Sequence, residues 1–312
     1  MHASILEDLA WARTRVALAT ALYVRVDDLL AASPDWAPKR PKAGIAPKLS
    51  DAELVTLAVI SALLGYDNES RFVRYAREHL RPWFPCLPNR GGCNKRLRGG
   101  ADTIARVIAA LARERVSWHD GVWLAGSAPV GCGTSRETAE RSGLAGWAEY
   151  GWCASHSRCS WGLRLHLIAT PCGLPVVFAL AGAKADERDV CADMIDRAGL
   201  ARQGQTLTAD KGCRSETFET GLNKAGITVL RPAARTEAPR PGAKLLRPLR
   251  QIIESINWTP KGQLTLERHR ARARTGVAAP IATRPLALTA AIRHNQTHHP
   301  HQPAHTPTPY DH

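Results

Sequence analysis

The chain has 312 residues, 44% of them hydrophobic, with a formal net charge of +14 at pH 7 and an isoelectric point near 9.8. That is enough apolar material for one large core or two smaller ones, and it excludes wholesale disorder. The basic excess points to a polyanionic partner, nucleic acid ahead of a membrane surface, because no amphipathic basic anchor is present. The eight cysteines include no Cys-x-x-Cys pair, and a chain of this size needs no disulfide staples, so a reduced, cytoplasmic setting is expected. A zinc site assembled from Cys86, Cys93, Cys153, His156 and Cys159 would match no standard ligand spacing. No apolar run approaches about 18 residues and no leader-like segment opens the chain, so neither membrane spanning nor secretion is expected.

Residues 1–32 carry Ile5, Leu9, Val16 and Leu22 at helical spacing. Residues 33–48 hold four prolines and four basic residues and read as a linker. Ser50 and Glu53 form a capping box that starts a helix through Leu54, Leu57 and Leu64, with Gly65 as its stop. A second helix follows from Asp67 to His79, carrying Arg71, Arg74 and Arg77, and a third, interrupted at Gly99-Gly100, covers Asn94–Arg115. Short basic-faced helices suit a DNA-binding helical module, and they suit equally a plain bundle with solvated arginines.

The texture changes near residue 121. Val122–Ala125 is a short buried strand; Leu163–Thr170 alternates leucines with Arg164 and His166; Leu174–Ala181 returns from the turn at Gly173 as the second arm of a hairpin. In this alternation His166 belongs at the rim. Asp186–Ala198 is a helix whose Asp186 and Glu187 cap its start, Gln205–Ala209 a strand ending at Asp210, Ser215–Lys224 a helix closed by Gly226, and Ile227–Leu230 a strand. Strands alternating with helices define an α/β class. His156 beside Cys153 and Cys159 reads as structural, and the nine tryptophans are mostly isolated and read as core.

From Arg231 to Arg274 eleven Lys and Arg face three acids, a density that suits a phosphate backbone. Inside this segment Pro248 fits a first helical turn, and Arg250, Glu254 and Asn257 recur on one face of the helix that follows. Glu254 can be a metal ligand pinned by the apolar face, or half of an exposed i, i+4 pair with Arg250. Asp210 likewise can be a ligand or the cap of the next turn. Trp258-Thr259-Pro260 should break that helix early, and Pro280 and Pro285 should interrupt a last helix over 277–292. The six histidines and four prolines of 294–312 read as a disordered tail.

Several runs in one order, among them Leu144-Ala145-Gly146-Trp147-Ala148-Glu149-Tyr150-Gly151, Trp161-Gly162-Leu163-Arg164-Leu165-His166, Gly182-Ala183-Lys184-Ala185-Asp186-Glu187-Arg188, Ala209-Asp210-Lys211, Ile253-Glu254-Ser255-Ile256-Asn257 and Lys261-Gly262-Gln263-Leu264, resemble the DDE transposases of bacterial insertion sequences, closest to the insertion-sequence 982 group. The resemblance covers roughly residues 50–312. Together with the all-α reading of 1–118, whose basic helices suit DNA binding, it implies an RNase H-like mixed sheet with flanking helices over 119–293, ahead of the tail from 294. It implies two-metal phosphoryl transfer at insertion-sequence ends, with Mg²⁺ or Mn²⁺ held by carboxylates because hard cations prefer oxygen. Asp210 and Glu254 would be the second and third acids, and Arg231, Arg235, Arg247, Arg250 and Lys261 would meet DNA, the terminal repeats and the target. A homo-oligomer is compatible with such a role.

The family's first acid sits in a context like Asp-Ser-Thr-Pro-Val, and this chain reads Gly126-Ser127-Ala128-Pro129-Val130. Glycine offers no side-chain ligand. Asp120 lies six residues back, roughly 20 Å along a strand, too far to substitute. The resemblance therefore implies a transposase with impaired strand cleavage, or a catalytically silent remnant that still binds DNA.

Overall fold

The computed structural model describes residues 2–38, 46–87, 90–133, 135–153, 158–266, 269 and 271–298. Five helices come first: α1 (His2–Ala32), α2 (Asp51–Leu63), α3 (Glu69–His79), α4 (Arg90–Arg98) and α5 (Ala101–Arg113). The capping box forms as expected, with Ser50 Oγ accepting from Glu53 N at 3.0 Å and Glu53 accepting from Ser50 N at 2.6 Å. Then come β1 (Val122–Gly133), α6 (Arg136–Arg141), β2 (Glu149–Cys153), β3 (Arg158–Ala169), β4 (Pro175–Gly182), α7 (Glu187–Arg197), β5 (Gln205–Thr208), α8 (Glu216–Lys224), β6 (Ile227–Leu230), α9 (Ala243–Trp258) and α10 (Arg274–His298). A mixed six-stranded sheet with flanking helices follows an all-helical N-terminal region.

Strands run in the order β4-β3-β1-β5-β6, with β2 sharing the outer edge of β3 with β4. β1 is antiparallel to β3 and parallel to β5, which is parallel to β6. β1 is three times the expected length, because only its first residues form an apolar run while Gly126, Ser127 and Pro129 carry the strand onward against β3. β5 ends opposite Leu124, so β1 from Ala125 on lies beyond the end of β5. That notch is where Asp210 follows β5.

The helical region and the sheet share one core. Leu18 and Val26 of α1, Val55 and Val59 of α2, and Ile104 and Leu111 of α5 pack in a single cluster with Leu286 and Ile292 of α10, Leu124 of β1 and Leu167 of β3. α10 is the link. It does not stop at Pro280 or Pro285, as the sequence suggests, and it continues to His298, so the boundary at 294 moves: His294 and Asn295 are helical and buried. Positions 299–312 lie outside the described residues. Two interior prolines cost about 3 kcal/mol each. Burying five large aliphatic side chains (Val277, Ile281, Leu286, Leu288 and Ile292) gives about 1.5–3 kcal/mol each and outweighs that loss.

α9 also departs from expectation. Gly242, at φ +79°, opens the helix at Ala243, so Pro248 is an interior residue, on an exposed face where the freed carbonyl of Lys244 meets water. At its far end Trp258-Thr259-Pro260 does not break the helix, which runs on into a π turn over Thr259–Gln263. The carbonyl of Leu264, closing that turn, accepts at 2.9 Å from Nε of Arg284, a fully buried residue of α10. Among the described residues no helix is long and apolar enough to cross a membrane.

Because one core serves helices and sheet, Leu286→Ala is expected to lower the midpoint of a single thermal transition, with a loss of about 2–5 kcal/mol. Circular dichroism of the helices and tryptophan fluorescence of the sheet should move together; two separated transitions would contradict the shared core.

Candidate functional site

One cleft of about 1090 Å³ opens at the notch, and Gly126, Asp210 and Glu254 all line it. β1 brings Gly126, the turn after β5 brings Asp210, and α9 brings Glu254. The three positions named from the sequence therefore share one cleft. At this level each acid plays the plainer of its two roles: Asp210 Oδ1 accepts from Lys211 N at 2.9 Å and caps a short turn, while Glu254 Oε1 accepts from Arg250 Nε at 2.9 Å, with both side chains over 60% exposed. The Arg250 guanidinium is raised above its ordinary value by the bond to Glu254 and by the charge of Asp210, so one arginine answers both carboxylates.

Gly126 is not an open vacancy. An ideal Cβ added there would lie 2.6 Å from Asn257 Nδ2 and 2.7 Å from Ile253 Cγ1. Helix α9 has settled onto β1 at the point where the expected acid would begin. The missing side chain and the close approach of the helix are one fact seen from two sides.

On the other face of β1 lies a group that sequence reasoning missed. Asp186 alone caps α7, accepting from Arg188 N at 2.9 Å. Glu187 instead turns into the cleft, where its Oε1 accepts from Ser127 Oγ at 2.8 Å and from Arg164 Nη1 at 2.6 Å. His166, expected at the rim, is 3% exposed in the wall of the same cleft, with Nε2 buried and without a hydrogen-bond partner; burial lowers its pKa to about 4. The strand alternation was right, but Ser127, opposite His166 in register, and α7 cover the side read as solvent. These partners are 60 and 23 residues apart in sequence, too far for local patterning to pair them.

Of the five cations read as DNA contacts, Arg247, Arg250 and Lys261 line the cleft, and Arg235 is exposed on the loop before α9. Arg231 must be withdrawn. It is 3% exposed, with Nε on Glu219 at 2.6 Å and its two terminal nitrogens on Glu237 at 2.8 and 3.0 Å. A guanidinium so enclosed cannot meet a phosphate. It pins the loop 231–240 to α8, helped by Arg240 on Glu219 at 2.7 Å, and its hydrogen bonds to Glu237 hold that carboxyl down at about 2. His156 lies outside the described residues. The tryptophans are not all core: Trp152 and Trp258 are 61% and 60% exposed. Comparison of the chain with protein-family models, with curated proteins and with solved structures gives no match.

Two measurements separate these roles. Arg231→Ala removes the enclosed cation from two carboxylates, leaving Glu219 to Arg240 and Glu237 to Arg214, and should give a clear drop in melting temperature. Arg247→Ala should leave melting unchanged while weakening duplex DNA binding and reducing its salt slope by about 1. A second pair concerns pH. His166 is neutral when folded and titrates near its ordinary value when unfolded, so between about pH 6.5 and 4 the unfolded chain takes up more protons and stability falls as pH falls. His166→Leu should flatten that decline, by roughly 3 kcal/mol at its acid end; an unchanged profile would assign the decline to other groups.

Proposed function

We propose that the chain is a DDE-type transposase, similar to those of the insertion-sequence 982 group, that binds DNA and whose strand cleavage is impaired at Gly126. Three features support the reading. The strand order β4-β3-β1-β5-β6, with the first three strands antiparallel and the last two parallel to β1, is compatible with the order expected of an RNase H-like core. The two acids that the sequence words single out line one cleft with position 126. Arginines and a lysine from α9 and the turn after it line the same cleft, suiting the DNA of terminal repeats and target in the cytoplasm.

The donor set does not fit a complete two-metal site. Such a site needs carboxylates on all three positions, and Mg²⁺ or Mn²⁺ would find only Asp210 and Glu254. Among the described residues no three His, Cys, Asp or Glu side chains stand close enough to hold an ion together. We therefore derive no chemical step through metal. What this chain's own residues can do is bind: Arg247 and Lys261 offer charge to phosphates. The second reading, a catalytically silent DNA-binding remnant, is favoured by one observation, the seating of Ile253 and Asn257 over Gly126.

The purified chain should retain duplex DNA bearing the element's ends, in a strongly salt-dependent way, and should not nick it in Mg²⁺ or Mn²⁺. Efficient nicking by the wild-type chain would refute the impairment, and failure to retain any DNA would sink the transposase reading. Gly126→Asp alone is expected to lower the melting temperature and restore nothing, because the new side chain must displace α9. Gly126→Asp combined with Ile253→Ala removes the nearer carbon and should recover both stability and some cleavage.

A further inference from the structure

Away from the cleft, the sheet carries two exposed aromatic rings. Tyr150 and Trp152 are 48% and 61% exposed on β2. Two residues apart on one strand, they point to the same side. Ala148, two residues earlier, packs in one cluster with Val277 and Ile281 of α10, and Trp161, opposite Tyr150 in register, is buried in that cluster too. The rings thus emerge on the α10 face, where the strand runs out past the helix. The other side of β2 is closed: Gly151 abuts Ala183, and Glu149 accepts from Lys184 N at 3.3 Å.

The start of α10 brings positive charge to the segment that leads into β2. α10 opens with Arg274, whose guanidinium carbon lies 5.9 Å from the Trp147 ring, and Arg272, two residues before it, is exposed. No acid stands in the first turn of α10. The one acid of β2, Glu149, is turned to the opposite side and occupied there.

We propose that this face binds single-stranded nucleic acid, with bases stacked on Tyr150 and Trp152 and phosphates held by Arg272 and Arg274. Flat exposed rings gain from unstacked bases, which present their faces, whereas a duplex presents only edges and backbone. Arginines at the start of α10 suit a polyanion, and they would repel their own counterparts across a contact with a second copy of the chain. The proposal rests on the nucleic-acid reading of the charge and is independent of the acids in the cleft.

The test is fluorescence anisotropy of the full chain with a labelled oligothymidylate of roughly 16 nucleotides and, separately, with duplex DNA, both in chelator so that the cleft acids take no part. Tyr150→Ala with Trp152→Ala should weaken the single strand about ten-fold or more and leave the duplex nearly unchanged. Trp152→Phe alone should keep most of the affinity, and Arg274→Ala should lower both affinity and salt slope. Because both rings are exposed, an unaltered melting temperature should accompany each variant. Unchanged single-strand binding in the double variant, or equal loss for both DNAs, would overturn the proposal. So would conversion of a dimer to a monomer by light scattering with single-strand affinity intact, which would give the rings to self-association. If the single strand binds as expected while duplex DNA bearing the element's ends is not retained, this face stands and the transposase reading falls.

Discussion

The direct seating of α9 on the bare backbone of β1 at Gly126 is the contact on which the geometry of the cleft depends. α9 buries only Ile256 completely; Leu249, Ile252 and Ile253 are partly buried against the common core, and most of the rest of the helix faces solvent. A helix held by so narrow an apolar stripe takes its height above the sheet from whatever lies beneath it. With hydrogen as the side chain at 126, Ile253 and Asn257 come down to the strand, and Glu254, next to Ile253 in the chain, is carried with them. Any larger residue at 126 would reset the positions of Arg247, Arg250 and Glu254 together. The residue at 126 thus sets the position of a whole element.

The far end of α9 is held quite differently. Its π turn closes on Leu264, and Leu264 is tied to Arg284, a buried guanidinium whose bonds go to the carbonyls of Leu264 and Pro280 and to the Thr265 hydroxyl. Burial lowers its pKa to about 10, so it still carries its charge near neutral pH. Among the described residues no carboxylate pairs with it, and carbonyl dipoles supply the compensation. α10 therefore does two jobs. It joins the N-terminal helices to the sheet and it anchors the segment that carries Lys261. A helical region that shares buried leucines with the sheet is bound to it by the hydrophobic effect, whatever separate role its basic faces play in binding.

Legibility from sequence followed the range of the interactions. Caps and periodic elements were readable because their physics is local: the Ser50–Glu53 box, the Asp186 cap, the hairpin turning at Gly173 and the alternating strand at 163–170 need only neighbours in the chain. Proline misled in α9, where Pro248 sits inside the helix on an exposed face, and in α10, where tertiary burial overrode a local penalty that is real. β2 and α6 escaped because Gly151, Trp152 and the short run of charges over 136–141 carry no clear period. Within the cleft, Asp210 and Glu254 were found through the family words. Glu187, Ser127 and the burial of His166 were not, since each depends on which face a distant helix covers. Arg231 shows the opposite error: a residue in a basic run looks like a surface cation until Glu219 and Glu237 enclose it.

Electrostatics decides what the cleft can hold as it stands. Its lining carries Arg164, Arg247, Arg250 and Lys261 against Glu187, Asp210 and Glu254, four positive groups to three negative, with His166 neutral. Arg164 is committed to Glu187 and Arg250 to Glu254, so neither is a loose counter-charge. A phosphate approaching the floor meets Asp210 with little surplus to offset its own charge. Farther out, Arg235 and Arg247 stand exposed, and the acid of that neighbourhood, Glu237, is already engaged by Arg231 and Arg214. The positive surplus therefore lies at the rim and fades toward the floor. A strand would be held across the mouth, with its phosphates kept away from the two acids.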